Sequence, residues 1–348
     1  MASDFNIGPV SIRNPVILAP MSGVSDAPFR ALAWRRGAGL VISEMVASEA
    51  LANQQPDSVR RITRVSTVPS NTPPHVVQLA GREARWMRLG AQIAVAEGAD
   101  IVDINMGCPA RKVTNGASGS ALMRDLDHAE RLIEATLEGA GRIPVTLKMR
   151  LGWDERSLNA PELAHRAEAL GVQSVTVHGR TRCQFFKGRA DWRAVAKVRS
   201  AVTIPLVVNG DIANVDDART ALSQSGADAV MVGRSTYGRP YLPGSIAEAL
   251  ETGSHLSVPS LEVIEGDLLE LHDATLSLYG KRHGTRIARK HIAWTFEALG
   301  SRHRDCGPAV TGALKSDEPN EVVSLIGNAF QYLAEHGLPA NEEVAMAA

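Results

Sequence analysis

Eight short apolar runs recur along the chain, and each one ends in polar or turn-forming residues. They span residues 16–21, 40–45, 75–81, 100–105, 144–150, 174–180, 204–211 and 228–234. Stretches with a helical spacing of apolar residues, such as 160–170, separate these runs. Continuous apolar strands that alternate with helices indicate a parallel sheet covered by helices. Eight such units favour an α/β fold of the closed (β/α)8 TIM-barrel type over an open sheet.

The pattern changes after the eighth run. Residues 252–260 are polar and rich in turn formers, and residues 261–337 show the spacing of amphipathic helices without a strand-like run. We therefore predict a barrel domain over 1–251, a linker over 252–260 and a small helical domain over 261–337. The last residues, 338–348, are expected to form a flexible tail.

Composition excludes several classes of protein. With 348 residues, of which 44% are hydrophobic and 22% charged, the chain is neither disordered nor collagen-like. Its three cysteines form no CxxC pair, which argues against a disulfide framework and a zinc site. The sequence shows no export leader and no apolar stretch of membrane-spanning length. We expect a cytoplasmic monomer with no membrane contact and no metal.

Charge is balanced over the whole chain but not along it. The net charge is -1, so a surface for a polyanion would have to be local. Residues 281–304 include seven Lys or Arg but only one acidic residue, Glu297. Within this stretch, Arg286 and Lys290 are spaced i,i+4. This stretch is either a solvated helix face or a nucleic-acid contact. A looser basic cluster, Arg60, Arg61 and Arg64, follows the second run.

Polar residues at the ends of the runs are the candidates for chemistry, because active sites of such barrels lie at the carboxyl ends of the strands. Asn209-Gly210-Asp211 follows the seventh run and Gly233-Arg234 follows the eighth. Barrels of this class commonly bind phosphate there, through backbone N–H groups and a helix N-terminus. The two segments together predict a phosphorylated cofactor or substrate.

Lys148 lies inside an otherwise apolar run. A buried ammonium group is unfavourable unless it meets an anionic or electron-rich partner. Lys148 therefore either faces a ligand or pairs with a barrel carboxylate such as Asp103 or Glu44.

Cys108 is the candidate for a catalytic thiol. It follows Asn105-Met106-Gly107 and begins a loop, 110–120, whose Gly and Ser content is typical of a movable lid. A thiol at this position can attack as a thiolate or donate a proton as an acid. Cys183 and Cys306 are predicted to be non-catalytic.

Several segments resemble the tRNA-dihydrouridine synthases, most closely the bacterial DusB subfamily. The matching segments are LAPMSGVSDAPFR (18–30), VQLAG (77–81), DINMGCPARKV (103–113), GSALM (119–123), LKMRLGWD (147–154), VHGRTR (177–182), VVNGDI (207–212), MVGR (231–234) and ARKHIAW (288–294). The resemblance implies a flavin barrel followed by a helical RNA-binding domain. It further implies FMN as cofactor, NADPH (or NADH) as reductant, and reduction of the C5–C6 bond of a uridine in the tRNA D-loop.

The resemblance also implies roles for individual residues on the flavin side. Pro20, Met21 and Ser22 match a backbone shelf against the flavin ring, named here the flavin shelf. The other matching residues contact the flavin's pyrimidine edge, its ring or its phosphate; they are Gln78, Lys148, His178, Asn209, Gly210, Asp211, Gly233 and Arg234.

On the substrate side, Cys108 matches the general acid that protonates C5 of the uracil, while hydride reaches C6 from flavin N5. The residues expected to contact the uridine or the rest of the tRNA are Asn105, Arg180, Arg286, Arg289 and Lys290.

Two positions depart from the subfamily pattern. Arg111 stands where a second Lys is frequent, and Thr295 stands where an aromatic residue is common. Two other functions are compatible with part of the pattern. A flavin barrel that reduces a free pyrimidine would explain the strand ends but not the basic stretch. A non-catalytic RNA-binding barrel would bind no flavin.

Overall fold

An antiparallel hairpin precedes the repeated units and covers one end of the barrel. In the computed structural model, which describes residues 5–65, 72–300 and 307–337, strand β1 (Phe5–Ile7) pairs with β2 (Val10–Ile12). Their apolar side chains pack with residues near the amino ends of the barrel strands, among them Leu40, Val76 and Ile101. The apolar pattern did not predict this hairpin, because strands of three residues are too short to show alternation.

Nine strands of the described residues follow in a single parallel sheet. They are β3 (Val16–Leu18), β4 (Leu40–Val41), β5 (Val46–Ala47), β6 (Val76–Ala80), β7 (Ile101–Met106), β8 (Val145–Arg150), β9 (Ser174–His178), β10 (Leu206–Asn209) and β11 (Ala229–Val232). Each of β6 to β10 pairs in parallel with the next, and β11 pairs with β3. The TIM-barrel class predicted from the sequence is confirmed.

The second strand position of the barrel is divided into β4 and β5. β4 pairs with β3, a parallel bridge joins Ile42 to Val76, and β5 pairs with β6, so the ring of eight positions closes. Between the two halves, the Ser43 hydroxyl accepts a hydrogen bond from the backbone N–H of Gln78 at 2.9 Å. The continuous strand predicted over 40–45 is therefore wrong. The Ser43 N–H still donates to the Val76 carbonyl at 3.0 Å, but the acceptor for the Gln78 N–H is the Ser43 side chain and not the backbone.

Helices of the described residues accompany the sheet, and most of them cover its outer face. They are α1 (Ala27–Arg35), α2 (Ser48–Ala52), α3 (Pro56–Arg61), α4 (Ala84–Ala96), α5 (Arg111–Thr114), α6 (Leu126–Ala140), α7 (Ala160–Leu170), α8 (Trp192–Arg199), α9 (Val215–Ser225) and α10 (Leu242–Thr252). Short 3-10 turns lie at Gly119–Arg124 and Arg234–Thr236. On β8, Leu147 and Met149 pack into the main apolar core, whereas the alternate side chains hydrogen-bond inside the ring and at its mouth. This alternation delivers polar groups to the barrel interior.

In the part of the carboxyl-terminal region that the structure describes, there are four further helices: α11 (Leu261–Tyr279), α12 (Lys281–Ala298), α13 (Gly307–Lys315) and α14 (Pro319–His336). Residues of these helices share an apolar core that includes Ile292, Phe296 and Phe330. The region contacts the barrel through a bidentate pair of Arg36 with Asp267, at 2.7 Å for both bonds. Its assignment as an RNA-binding domain stays a prediction.

Some sequence expectations fall outside the described residues. These are the non-catalytic assignment of Cys306, the contribution of Arg302 and Arg304 to the basic stretch, and the tail over 338–348. Among the helices of the described ranges, none is both long and apolar enough to cross a membrane.

Candidate active site at the barrel mouth

Most of the predicted site residues lie at one end of the barrel, at or just beyond the carboxyl ends of its strands. They are Pro20, Met21, Ser22, Gln78, Asn105, Cys108, Lys148, His178, Arg180, Asn209, Gly210, Asp211, Gly233 and Arg234. Arg286, Arg289 and Lys290 lie on α12 instead. The fold therefore assembles one candidate site from seven of the eight strand positions and adds a separate basic helix.

The flavin shelf belongs to a loop that is anchored on both sides. Within the loop, the Ser25 hydroxyl accepts from the Met21 amide at 2.7 Å. The Gly23 amide donates to the buried carboxylate of Glu44 at 2.5 Å, and the Gly23 carbonyl accepts from Lys290 of α12 at 2.6 Å. The shelf is thus held by the barrel and by the carboxyl-terminal helices together.

A buried hydrogen-bonded series crosses the barrel interior beneath Cys108. Gln78 donates to Asp103 at 2.6 Å, and Asn105 donates to Gln78 at 2.9 Å. The Asn105 oxygen accepts from the Cys108 amide at 2.9 Å. Each of the two side-chain amides keeps one N–H that has no partner among the described residues. These N–H groups are free to bind a ligand.

Lys148 contacts an amide and not a carboxylate. Its ammonium donates to Asn209 at 3.0 Å, and Asn209 in turn donates to the Met231 carbonyl at 2.8 Å. Burial, helped by nearby Arg150, lowers the pKa of Lys148 to about 8, and the charge of Asp103 opposes this shift. No carboxylate of the described ranges lies within ion-pair distance of Lys148, so the ligand-facing alternative is favoured over the carboxylate pair.

The imidazole of His178 is surrounded by positive charge. Burial and then the charges of Arg150, Lys148, Arg180 and Arg234 hold its pKa well below the ordinary value. His178 is therefore neutral at physiological pH and can donate or accept a hydrogen bond without adding charge.

Arg180 has internal partners for most of its donors. It is 2% exposed and donates to Asp211 at 2.6 Å, to the Gly188 carbonyl at 2.6 Å and to the Lys187 carbonyl at 3.1 Å. These bonds hold the loop after β9 in place. The substrate contact expected of Arg180 stays a prediction.

The segments after β10 and β11 have open backbone donors. Among the described residues, the N–H groups of Gly210, Asp211, Gly233 and Arg234 have no hydrogen-bond acceptor. Gly210 adopts a φ of 113°, and a Cβ there would lie 2.8 Å from His178 and from Ala190. Such a crowded turn with free N–H groups fits a phosphate.

Asp211 contributes to this turn through its backbone. Its φ of 54° is unusual for a residue with a side chain, and its carboxylate accepts from Arg180 and, at 2.7 Å, from the Ala190 amide. A carboxylate would repel a phosphate, so only the N–H of Asp211 suits the predicted cofactor contact. The guanidinium of Arg234, whose side chain is 40% exposed, supplies the positive charge.

Cys108 is partly exposed at the start of a firmly held turn. The Ser120 amide and hydroxyl both donate to its carbonyl, at 3.1 and 2.9 Å. Gly119 has a φ of 59°, and a Cβ there would lie 2.8 Å from the same carbonyl oxygen. The predicted loop 110–120 thus contains α5 and closes back on Cys108, which leaves the thiol at the mouth. Cys183 is exposed and takes no part in these contacts.

Sequence reasoning missed two residues of the mouth. Arg150 is 1% exposed and donates to the carbonyls of Gly107, Thr181 and Phe185, at 2.9, 2.7 and 2.7 Å. It ties the Cys108 turn to the loop after β9. Phe186 is 43% exposed, and the guanidinium of Arg234 lies 4.7 Å from its ring centre. The sequence pattern gave Arg150 no role, because its three partners are distant in sequence.

The three basic candidates on α12 differ in their surroundings. Arg286 is exposed, and Lys290 reaches the mouth loop through Gly23. Arg289 donates to the Lys315 and Ser316 carbonyls at 3.0 Å and to Asp317 at 2.8 Å. Arg289 thus connects α12 to the turn before α14 through one guanidinium nitrogen, Nη2, and its role as a substrate contact stays a prediction.

Comparison with known proteins decides the family. The family model described as Dihydrouridine synthase (Dus) matches residues 17–318. The chain belongs to the dihydrouridine synthase family. It is accordingly a flavin-dependent oxidoreductase, which confirms the family, the enzyme class and the flavin expected from the sequence.

Relatives of this dihydrouridine synthase align with most of the chain. The probable tRNA-dihydrouridine synthase of Rhizobium leguminosarum bv. phaseoli is 51% identical over 331 residues, which are 95% of this chain and 100% of that protein. The tRNA-dihydrouridine synthase B of Pseudomonas putida is 44% identical and aligns with 84% of this chain and 85% of its own.

Among solved structures, histamine dehydrogenase from Rhizobium sp. 4-9 superposes with a TM-score of 0.54. The match covers 95% of this chain and 63% of that chain, at 14% sequence identity. At this identity the likeness supports the fold alone.

The two departures from the subfamily pattern have different settings. Arg111 is exposed at the start of α5, on the same turn as Cys108. Thr295 is 5% exposed on α12, where its position faces the barrel contact and not solvent. The side chain of Thr295 therefore offers little surface to an RNA.

Proposed function

We propose that this protein reduces a uridine of the tRNA D-loop to 5,6-dihydrouridine, with FMN as cofactor and NADPH, or NADH, as reductant. The observation that supports this most is the partly exposed Cys108 thiol, held by a buried amide series at the same barrel end as Lys148 and the open N–H groups. The names of the relatives point to the same substrate class.

The residues of the mouth fit FMN. The free N–H groups after β10 and β11, with Arg234, would hold its phosphate. Lys148 and the remaining N–H of Gln78 would donate to the pyrimidine edge of the ring, where negative charge develops on reduction. When bound, FMN supplies the hydride that reaches C6 of the uracil.

Cys108 completes the reduction by donating its thiol proton to C5. Addition of one hydride and one proton saturates the C5–C6 bond, and the thiolate that remains recovers a proton from solvent. Asn105 holds the amide of Cys108 and keeps one N–H for a uracil oxygen. Lys148 and Arg150 place positive charge beside the reacting base.

The surroundings of α12 support an RNA partner. Arg282, Arg286 and Lys290 are spaced i, i+4, i+8 on one face, and Lys290 ends at the mouth loop. Arg60 of α3 lies 5.2 Å from the Tyr279 ring of α11, so the looser basic cluster also borders this region. Turning a uridine out of the tRNA requires compensating phosphate contacts, and this surface offers them. We expect the enzyme to act as a cytoplasmic monomer.

Replacement of Cys108 tests the proposed acid. Cys108→Ala should retain bound flavin and NADPH oxidation but slow dihydrouridine formation by about 100-fold or more, the usual contribution of a positioned acid. Purified protein, NADPH and unmodified tRNA are incubated, and dihydrouridine is measured by mass spectrometry of the digested tRNA. Cys183→Ala, at an exposed cysteine outside the site, is the matched control.

Three outcomes would contradict the proposal. Full tRNA reduction by Cys108→Ala would remove the thiol from the mechanism. Reduction of free uridine as efficiently as tRNA by the wild-type protein would favour a small-molecule reductase. Absence of the visible absorption of oxidised flavin from the purified protein would favour a non-catalytic barrel.

A further inference from the structure

Four buried side chains on neighbouring strands form one unbroken series of hydrogen bonds, named here the interior relay: Thr146, Asp103, Gln78 and Asn105. Thr146 and Gln78 donate to the two carboxylate oxygens of Asp103, at 2.6 Å each. Asn105 donates to Gln78 at 2.9 Å. The relay ends at the Asn105 oxygen, which accepts from the Gly107 and Cys108 amides at 3.2 and 2.9 Å.

The direction of every bond in the interior relay follows from its two ends. An ionised carboxylate only accepts, and a backbone N–H only donates. A side-chain amide has one accepting and one donating end, so two amides placed between a carboxylate and two N–H groups have a single arrangement without conflict. Reversal of either amide would set acceptor against acceptor or donor against donor.

Burial makes this arrangement strict. Asp103 is 2% exposed, Gln78 1% and Asn105 7%, so water cannot compensate a reversed amide. We infer that Asp103 is a positioning residue that fixes the orientation of the Gln78 and Asn105 amides and, through them, the placement of the Cys108 thiol. The inference rests on the proposed function only for its effect on catalysis.

The negative charge of Asp103 and the hydrogen bonds that its oxygens accept can be tested separately, because Thr146 is one of its two partners. A hydroxyl can donate or accept, so Thr146 can accept from an Asn placed at 103 while the Asn oxygen still accepts from Gln78. Valine at 146 removes this option but leaves an ionised Asp103 able to orient Gln78. Each single substitution should therefore preserve the constraint that this end of the interior relay places on the Gln78 amide. Only the pair should remove that constraint and leave the Gly107 and Cys108 N–H groups as the sole determinant of the direction.

The test is a double-substitution cycle of Asp103→Asn and Thr146→Val in the flavin-loaded protein. Cys183→Ser and Cys306→Ser leave Cys108 as the only thiol, and its alkylation by iodoacetamide is followed by intact mass. In each single variant, the rates of Cys108 alkylation and of tRNA reduction should stay within about threefold of those of the parent. In the double variant, each rate should differ by about 10-fold or more from the product of the two single effects, with faster alkylation and slower tRNA reduction.

Thr176→Val is the matched control, because Thr176 lies on β9, has the same 7% exposure as Thr146 and is outside the interior relay. A pair that equals the product of its singles would overturn the inference. The inference would also be overturned if Asp103→Asn alone changed the two rates as much as the pair does, because the charge of Asp103 and not the orientation of the amides would then be responsible. The alkylation rate of Cys108 tests the interior relay even if the wild-type protein forms no dihydrouridine. The absence of dihydrouridine formation would refute the proposed function and would leave the inference about the interior relay standing.

A second measurement uses only Thr146→Val, in case the pair does not fold. Burial raises the pKa of Asp103 to about 6, against the opposing effects of Thr146, Gln78 and the charge of Lys148. A protonated Asp103 can donate to Thr146 in the wild type but would have to donate toward Gln78 when 146 is Val. The ratio of Cys108 alkylation in Thr146→Val to that in wild type should rise between about pH 8 and about pH 5. A constant ratio would overturn the inference.

Discussion

At Gly210, backbone conformation and packing both require the absence of a side chain. Its φ of 113° is unfavourable for other residues, and a Cβ would approach His178 and Ala190 to 2.8 Å. The same turn has the free N–H groups proposed for the phosphate. One residue thus determines both local stability and the shape of the cofactor site.

Substitution of Gly210 should separate these two effects. Gly171 has a similar φ of 110°, but a Cβ added there would have no atom within 4 Å, so Gly171→Ala should cost only backbone strain, on the order of 1 kcal/mol. Gly210→Ala should destabilise the flavin-free protein by about 2 kcal/mol more, because of the crowding. Urea unfolding of the two variants measures the difference, and equal losses would contradict the crowding.

At the scale of elements, α12 uses one face to contact the barrel. His291 is 2% exposed and stacks on Phe29 of α1 with ring centres 5.4 Å apart, and Trp294 stacks on Tyr237 at 4.2 Å. Neither ring nitrogen of His291 has a partner among the described residues. The helix therefore rests on the barrel through a neutral, unpaired imidazole.

This contact should weaken in acid. Burial lowers the pKa of His291 from 6.5 to about 3, so between these values the unfolded chain binds a proton that the folded protein does not. Stability is therefore lost as the pH falls below about 6.5. From about pH 7 to about pH 5 the wild type should lose on the order of 2 kcal/mol more than His291→Phe.

Urea unfolding at the two pH values measures this difference. His255→Phe, at an exposed histidine between α10 and α11, is the matched control and should lose as much as the wild type. Equal losses in wild type and His291→Phe would show that His291 is not responsible.

At the scale of the whole molecule, the basic face of α12 and the barrel mouth form one surface. Lys290 joins them by its bond to Gly23, and the bidentate Arg36–Asp267 pair fixes α11 against the barrel. An RNA that follows the exposed Arg282 and Arg286 would arrive at the flavin shelf. The proposal that this surface binds tRNA therefore depends on its geometry and not on the net charge of the chain.

Removal of one exposed cation should weaken tRNA binding by a phosphate contact. Arg286→Gln should raise the Kd for tRNA and reduce the slope of log Kd against log salt by about 1. Lys197→Gln, at an exposed lysine on α8 of the barrel wall, should change neither quantity. Fluorescence anisotropy over a salt series measures both, and an unchanged slope for Arg286→Gln would exclude it from the RNA contact.

Much of the fold was predictable from the sequence, whereas the hydrogen-bond partners of the individual arginine side chains were not. The β/α alternation and the strand-end positions of Lys148 and Cys108 follow from local periodicity, and the division of the second strand depends on a contact between Ser43 and Gln78. Arg180 and Arg289 have the residue type and motif context expected of ligand contacts. Their internal partners, Asp211 and Asp317, are known only after folding.

The amino-acid sequence by itself determined the barrel class, the family and the set of candidate site residues, because periodicity and motifs are local properties of the chain. Tertiary structure alone decided which polar groups remain available to a ligand. Hydrogen-bond donors are consumed by partners that folding brings from distant positions, as Arg150 shows with Gly107 and Thr181. The interior relay depends on the same fact, since its direction arises only when three strands lie side by side.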